Sequence, residues 1–232
     1  MSKNKKLTRG PQLELAGDLS VAFVNTAAAR EKNRQQGVST YHELLVWSQQ
    51  VGILQAAQAE RLWTAAGDRP EAAAAALQRV LTARAALARL FIALQTQGEM
   101  PPGDLGLVNE ALGEGMSAAR LVPGEEGLVW GWAGDENALE RPLWPALHAG
   151  AELLISTGGQ PHVRQCALSG CRLFFIDRSR ARQRRWCDMK TCGNRAKSLR
   201  FYRKTGKAAR EERTWGIALY KTKRPRPSLQ KL

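Results

Sequence analysis

Over the first 160 residues the apolar positions recur mainly at helical spacing, and the polar residues between them supply start and stop signals. Thr40, followed three positions on by Glu43, forms a capping box ahead of Leu44, Leu45, Trp47 and Val51. A second helix is expected from Gln55 to Ala65, closed by Gly67. Asp68, Pro70 and Glu71 have the character of a helix N-terminus, and the next breaker is Gly98, which predicts a long helix from Pro70 to Gln97. Beyond Pro101-Pro102-Gly103 a weaker helix is expected from Asp104 to Leu112. Arg120-Leu121-Val122 and Leu128 to Trp132 flank Pro-Gly-Glu-Glu-Gly and predict two strands around a turn. A last helix, Pro142 to Ser156, carries Leu143, Leu147, Gly150 and Leu154 along one side.

One polar position interrupts this pattern. Projected at about 100° per residue, Leu77, Val80, Leu81, Ala88 and Phe91 form a stripe on the long helix, and Arg84 falls near its middle. A buried arginine requires partners. Either Arg84 is paired inside the core, or it anchors an anion or small ligand. The nearest polar candidates in an apolar run are Asn25 and Thr26, after Val21-Ala22-Phe23-Val24, which also suit a helix end.

Composition adds a sharp asymmetry. The 232 residues carry a net charge of +14. From Pro161 onward there are 21 Lys and Arg against 4 Asp and Glu, net +17, whereas the first 160 residues come to −3. The basic character therefore belongs to one segment of the chain, which points to a polyanion as its partner. No stretch is long and apolar enough to span a bilayer. The basic start, Met-Ser-Lys-Asn-Lys-Lys, is not followed by the apolar run of a secretory leader, so a reducing cytoplasm is the expected compartment.

All four cysteines fall in the basic segment, as Cys166, Cys171, Cys187 and Cys192 in the pattern C-x4-C-x15-C-x4-C. Two short pairs separated by a hairpin-length insert suit a tetrahedral four-thiolate zinc site; two disulfides or structural thiols are the alternatives. Four protein ligands close the coordination sphere, so such a zinc would be structural. Between the pairs, Arg172-Leu173-Phe174-Phe175-Ile176 predicts a strand to which Arg184-Arg185-Trp186-Cys187 returns antiparallel. The connecting loop carries Arg178, Arg180 and Arg182. From Cys192 a helix is expected as far as Gly206. Its face bearing Cys192, Arg195, Leu199 and Tyr202 would look inward, and Lys197, Arg200, Lys204 and Lys207 would form a basic ridge, or merely a solvated face.

Cys187-Asp188-Met189, then Cys192-Gly193-Asn194-Arg195-Ala196-Lys197, with Phe175 to Arg180 and Arg184-Arg185-Trp186 ahead of them, resemble the bacterial CGNR zinc finger. In that family the finger usually follows a helical ABATE domain, associated with stress-induced transcription regulation. Phe23-Val24-Asn25-Thr26, Leu44 to Trp47 and the stretch around Arg84 resemble that domain more loosely. Two departures stand out: Ala22 where the family often has Asp, and Asp188 where it has a small residue.

The combined expectation is a mainly α protein. A basic N-terminus (1–10) precedes a helical ABATE-like domain with one small β-hairpin (11–160). A small treble-clef-like four-cysteine zinc module, a β-hairpin plus a helix, follows at 161–206, and then a basic tail at 207–232. Its expected role is DNA-binding transcriptional regulation with one structural Zn²⁺. Arg178, Arg180, Arg182, Arg184, Arg185, Lys197, Arg200, Lys204 and Lys207 would meet phosphates, and Asn194 or a loop arginine would meet bases. RNA binding through the same surface and a protein-interaction or ligand-sensing module are the alternatives. A small-molecule effector of the helical domain and a homodimer are further candidate partners. The three histidines, His42, His148 and His162, are scattered, and no nucleophile-and-base motif accompanies them, so an enzyme is not expected. Chelation is expected to unfold the finger and leave the helical half intact.

Overall fold

A computed structural model describes residues 16–31, 37–124, 127–155 and 163–205. The basic N-terminus, Lys207, the stretch Trp215 to Tyr220 and the basic tail lie outside the described residues. The chain divides after Cys187 into two compact units. The first holds α1 (Ala16–Glu31), α2 (Tyr41–Gln50), α3 (Ala56–Asp68), α4 (Pro70–Thr96), α5 (Pro102–Ala118), the hairpin β1 (Ala119–Gly124) and β2 (Gly127–Trp132), α6 (Leu143–Ile155), and the short strands β3 (Val163–Gln165) and β4 (Phe174–Ile176). In the second, a π-helical turn (Met189–Gly193) leads into α7 (Asn194–Thr205).

The local signals act where the sequence places them. Glu43 of the capping box accepts the Thr40 N–H (3.0 Å) and also the Ser39 N–H and hydroxyl, while Thr40 Oγ1 accepts the Glu43 N–H. The Ser39 and Thr40 bonds hold the Glu43 carboxyl below its ordinary range. Pro70 starts α4, and because the residue before proline is pushed out of the helical region, α3 runs past Gly67 and ends at Asp68. The long helix closes on Gln97 in the left-handed conformation, with the Gly98 N–H returned to the Ala93 carbonyl.

Two expectations shift. α5 continues to Ala118, six residues past Leu112, because it packs on α4 and α6 and its last turn buries Gly115 and Ala118. Gly115 allows this: a Cβ there would lie 3.0 Å from Trp144 of α6. The buried stripe of α4 runs through Ala73, Ala76, Val80, Ala83, Leu87 and Leu90. It is displaced from the Leu77–Leu81–Ala88 line because alanines occupy the close helix contacts, and Arg84 stands at its half-buried margin. Gly150 of α6 brings that helix against α4, where a Cβ would meet Leu87 at 2.9 Å.

The core is built on Phe23, Leu44, Leu62, Val80, Leu87, Leu90, Phe91, Leu143 and Leu147, and it extends to Val163 of β3 and Phe174 of β4. β3 and β4 pair antiparallel, Val163 with Ile176 and Gln165 with Phe174, and lie against α4 and α1. β4 thus pairs with the segment before the first cysteine pair, not with Arg184 to Cys187 as expected. The Arg184 N–H is directed to the Asp177 carboxylate (2.8 Å), which removes it from any ladder. Among the described residues no helix is long and apolar enough to cross a membrane.

Candidate metal centre and nucleic-acid interface

Short-range backbone bonds fix the first cysteine pair. The Cys166 N–H donates to the Leu173 carbonyl (2.8 Å), the Cys171 N–H donates to the Leu168 carbonyl (2.9 Å), and Gly170 makes the turn at φ +72°. Ala167 N–H donates to the Arg185 carbonyl (2.8 Å), bringing the chain entering Cys187 beside the first pair. In the second unit Asp188 caps the π-helical turn that carries Cys192, accepting from the Thr191 N–H (2.6 Å) and hydroxyl (2.7 Å). The acid that departs from the family pattern therefore has a capping role.

The four sulfurs lie within 4.8 Å of one another, and Cys166, Cys171 and Cys192 are buried. Cys171 and Cys187 Sγ are 3.7 Å apart, and no disulfide joins any of the four. A tetrahedral ion with Zn–S bonds of about 2.3 Å has S···S edges of about 3.8 Å. The donor set and its spacing fit one zinc ion held by Cys166, Cys171, Cys187 and Cys192. Four thiolates leave no position for a reacting water.

The arginine loop after β4 is organised around Asp177, which is buried. Burial pushes its carboxyl upward. The Ser179 hydroxyl and N–H, the Arg184 N–H and the nearby Arg164 charge outweigh that and hold it below the ordinary range. Arg164 also donates to the Arg182 carbonyl (2.6 Å), closing the loop from the β3 side. Reading the sequence missed Asp177 and Arg164. The signal available for the first was the Asp-x-Ser pattern of a side-chain-capped turn.

The candidate nucleic-acid residues separate into different environments. Arg180, Arg182 and Arg185 are exposed, with the Arg185 guanidinium over the Trp186 ring at 5.5 Å. Arg178 is exposed but paired with Asp18 of α1 at 2.8 Å. Arg184 is half-buried: its guanidinium stacks over Phe175 at 5.0 Å and donates to the carbonyls of Trp186 and Cys187. Arg184 is thus a structural strut of the loop and not part of its exposed basic set.

On the second unit Lys197 and Arg200 are exposed, and Asn194 is exposed with its side-chain amide donating to the Lys190 carbonyl (3.0 Å). Lys204 lies on α7, and its side chain falls outside the described ones. The face expected to look inward does not do so: Arg195, Leu199 and Tyr202 are exposed. Cys192 sits in the π-helical turn, whose wider winding breaks the phase assumed from a continuous α-helix. Lys190 is a further exposed basic residue that the projection passed over, and Arg195, assigned to the inward face, joins the exposed basic set.

Asn25 and Arg84 do not meet. Arg84 Nη1 donates to Thr26 Oγ1 and to the Val38 carbonyl, both at 2.8 Å, and no carboxylate pairs with it among the described residues. Burial pulls the Arg84 pKa downward. Asn25 turns the other way. Its amide donates to the Phe174 carbonyl (2.9 Å) and its oxygen accepts the Phe174 N–H (2.7 Å), so one side chain of α1 grips β4 by a single residue.

The family profile described as "Putative stress-induced transcription regulator", ABATE, matches residues 17–157, and the CGNR zinc finger profile matches residues 162–205. No curated protein matches the chain. With the ABATE match covering more than half of its length, and with the cluster at Cys166, Cys171, Cys187 and Cys192 within the second match, the chain belongs to the ABATE family and carries a CGNR zinc finger.

Proposed function

We propose that this zinc-binding regulator is a DNA-binding transcriptional regulator of the cytoplasm, contacting phosphates with its C-terminal basic residues. The observation that carries the reading is the exposure of Arg180, Arg182 and Arg185 on a loop whose backbone is fixed by Asp177. Such a loop presents cations at little further ordering cost, which is what backbone contacts to a polyanion require. Lys190, Lys197 and Arg200 on the second unit add to the same balance of charge. No catalytic step belongs to this reading.

The test is a salt series of duplex-DNA binding by the zinc-loaded full chain. The logarithm of affinity falls by about 0.9 per phosphate contact for each tenfold rise in salt, and Arg180→Ala and Arg182→Ala each flatten the slope by about 1. Affinity that barely changes with salt, or slopes unmoved by both substitutions, would sink the proposal. Enrichment of particular genomic fragments over random DNA measures specificity that charge alone does not give.

RNA or single-stranded nucleic acid is a second reading, favoured by the exposed Phe201 and Tyr202 on the helix that carries Lys197 and Arg200. Aromatic faces beside cations suit unstacked bases. Competition between duplex DNA, duplex RNA and single strands separates the two. For the helical domain, effector binding is supported by a hollow of about 590 Å³ lined by Tyr41, Trp63, Ala66, Pro70, Ala73 and Leu77. Its size and apolar walls suit a small, largely apolar ligand. Thermal stabilisation by such ligands, abolished in Trp63→Ala, is the corresponding measurement.

A further inference from the structure

The hairpin β1–β2 is a sheet of two strands, so each strand has one open edge. The Ala133 N–H donates to the Ala118 carbonyl, which marks that pair as hydrogen-bonded. Alternation along an antiparallel ladder then turns Arg120/Gly131, Val122/Val129 and Gly124/Gly127 inward and leaves the backbone groups of Ala119/Trp132, Leu121/Trp130 and Pro123/Leu128 pointing outward.

The two edges are not equivalent. On β1 the Ala119 carbonyl is occupied by the Arg120 guanidinium (2.7 Å), and Pro123 has no N–H to offer. On β2 the Trp132 carbonyl is taken by Arg141. Leu128 and Trp130 each direct an N–H and a C=O outward with no partner among the described residues. Proline and charge are the usual guards of an open edge; β1 has both, whereas β2, Gly-Leu-Val-Trp-Gly-Trp, has neither.

The side chains point the same way. On one face Leu121 is 61% exposed, Leu128 68% and Trp130 48%; on the other Val129 is 49% exposed. Trp130 and Trp132 meet His148 and Trp144 of α6, with ring centres 5.3–6.3 Å apart, so the first face is partly covered, yet Leu121 and Leu128 beside them stay open to solvent. A two-stranded hairpin with this much apolar surface exposed gains from further cover.

We propose that the β2 edge is a self-association surface whose occupant is a second copy of this chain. β2 pairs antiparallel with its counterpart about a two-fold axis at Val129, and Leu128 of each copy exchanges backbone hydrogen bonds with Trp130 of the other. Four backbone bonds form, and the two hairpins become one four-stranded sheet in the order β1-β2-β2-β1. The segment is complementary to itself: Leu128 faces Trp130, Val129 faces Val129, and no charge on either strand meets its like. The apolar faces of the two hairpins also become continuous, so that Leu128 and Trp130 of each copy shield one another beside the seam. A contact limited to four backbone bonds and a short apolar strip belongs with weak, transient association, and a Kd on the order of 10 μM is expected of it.

The test is sedimentation of the zinc-loaded full chain, without nucleic acid, from about 1 to 300 μM, a range chosen to bracket that Kd. The expected result is a mass rising from the 25.6 kDa of the monomer toward twice that value. Val129→Lys sets two like charges on the axis, and Leu128→Pro removes an outward N–H without taking a bond from the β1–β2 ladder; both hold the mass at the monomer value. Val129→Cys crosslinks the copies at the same residue under mild oxidation, which reports the register should either other variant fail to fold. A wild-type chain that stays monomeric across the range overturns the proposal. So does association that both substitutions leave intact, growth past the dimer, or a monomer that binds only a foreign strand. Because no nucleic acid enters the experiment, its failure is distinct from failure of the DNA-binding reading.

Discussion

Asn25 holds both backbone polar groups of one β4 residue, Phe174, with the two ends of its amide, and it does so across 149 positions of sequence. Asn25→Ala leaves the Phe174 N–H and C=O without their partner in a part-buried setting, at a cost of about 2–3 kcal/mol measurable by chemical denaturation. Asn25→Asp, which keeps an acceptor for the Phe174 N–H and loses the donor, is expected to fall between the two. The neighbouring Thr26 serves a different contact, the Arg84 guanidinium, so adjacent residues of α1 join the finger hairpin and α4 to the same helix. Asp104 supplies a pH signature. Two bonds from Arg89 hold its carboxyl below the usual range despite burial. A carboxylate depressed in the folded state adds stability that is complete above its unfolded value of about 3.9 and is lost as pH falls through the lower folded value. Melting midpoints measured downward from pH 5 should drop less steeply in Asp104→Asn than in the wild type; parallel profiles would show that this pair contributes nothing.

At the scale of elements, the arginine loop shows how a highly charged segment acquires a fixed backbone. Asp177 replaces the hydrogen bonds a second strand would have made, accepting from Ser179 and Arg184 on either side of the loop. Asp177→Ala is expected to leave one zinc per chain while raising tryptic cleavage at Arg180 and Arg182 at least several-fold, since the loop then loses the bonds that order it. Unchanged cleavage would mean that the loop is held by other contacts. The same loop marks the limit of sequence reading. Helix starts were legible because their signals are local: Thr40 with Glu43, and Pro70 at the first position of α4. The cysteine cluster was legible because metal spacing is also local. β3 was not, because Val-Arg-Gln is too short to show alternation and its partner lies beyond a knuckle of cysteines. Nor was the fate of Leu199 and Tyr202, since a π-helical turn at Cys192 leaves no signature in composition and resets the phase of everything after it.

For the whole molecule, the consequential feature is that the finger's hairpin is built into the helical body. Val163 is fully buried and Phe174 nearly so, both within the body's core, and Phe174 meets Phe91 of α4 edge-on with ring centres 6.0 Å apart. An independent finger would have lost its metal without consequence for the helices, as the sequence suggested. Here the loop joining β3 to β4 carries Cys166 and Cys171, so metal ligation restrains the strands that complete the core. A ligand that binds only the folded state stabilises it by RT ln(1 + [L]/Kd), about 4 kcal/mol at a thousandfold excess over Kd. For a chain of this size each kcal/mol moves the midpoint by about 2–4 °C. Chelation should therefore lower the melting midpoint of the helical circular-dichroism signal by about 8–16 °C. The coupling runs through identifiable contacts, so Asn25→Ala, which releases β4 from α1, should shrink that difference between zinc-loaded and chelated protein. A helical midpoint indifferent to zinc would show that the strands stay packed without the metal. A zinc effect as large in Asn25→Ala as in the wild type would place the coupling in the Val163 and Phe174 packing alone, where Phe174→Ala would then be the variant that abolishes it.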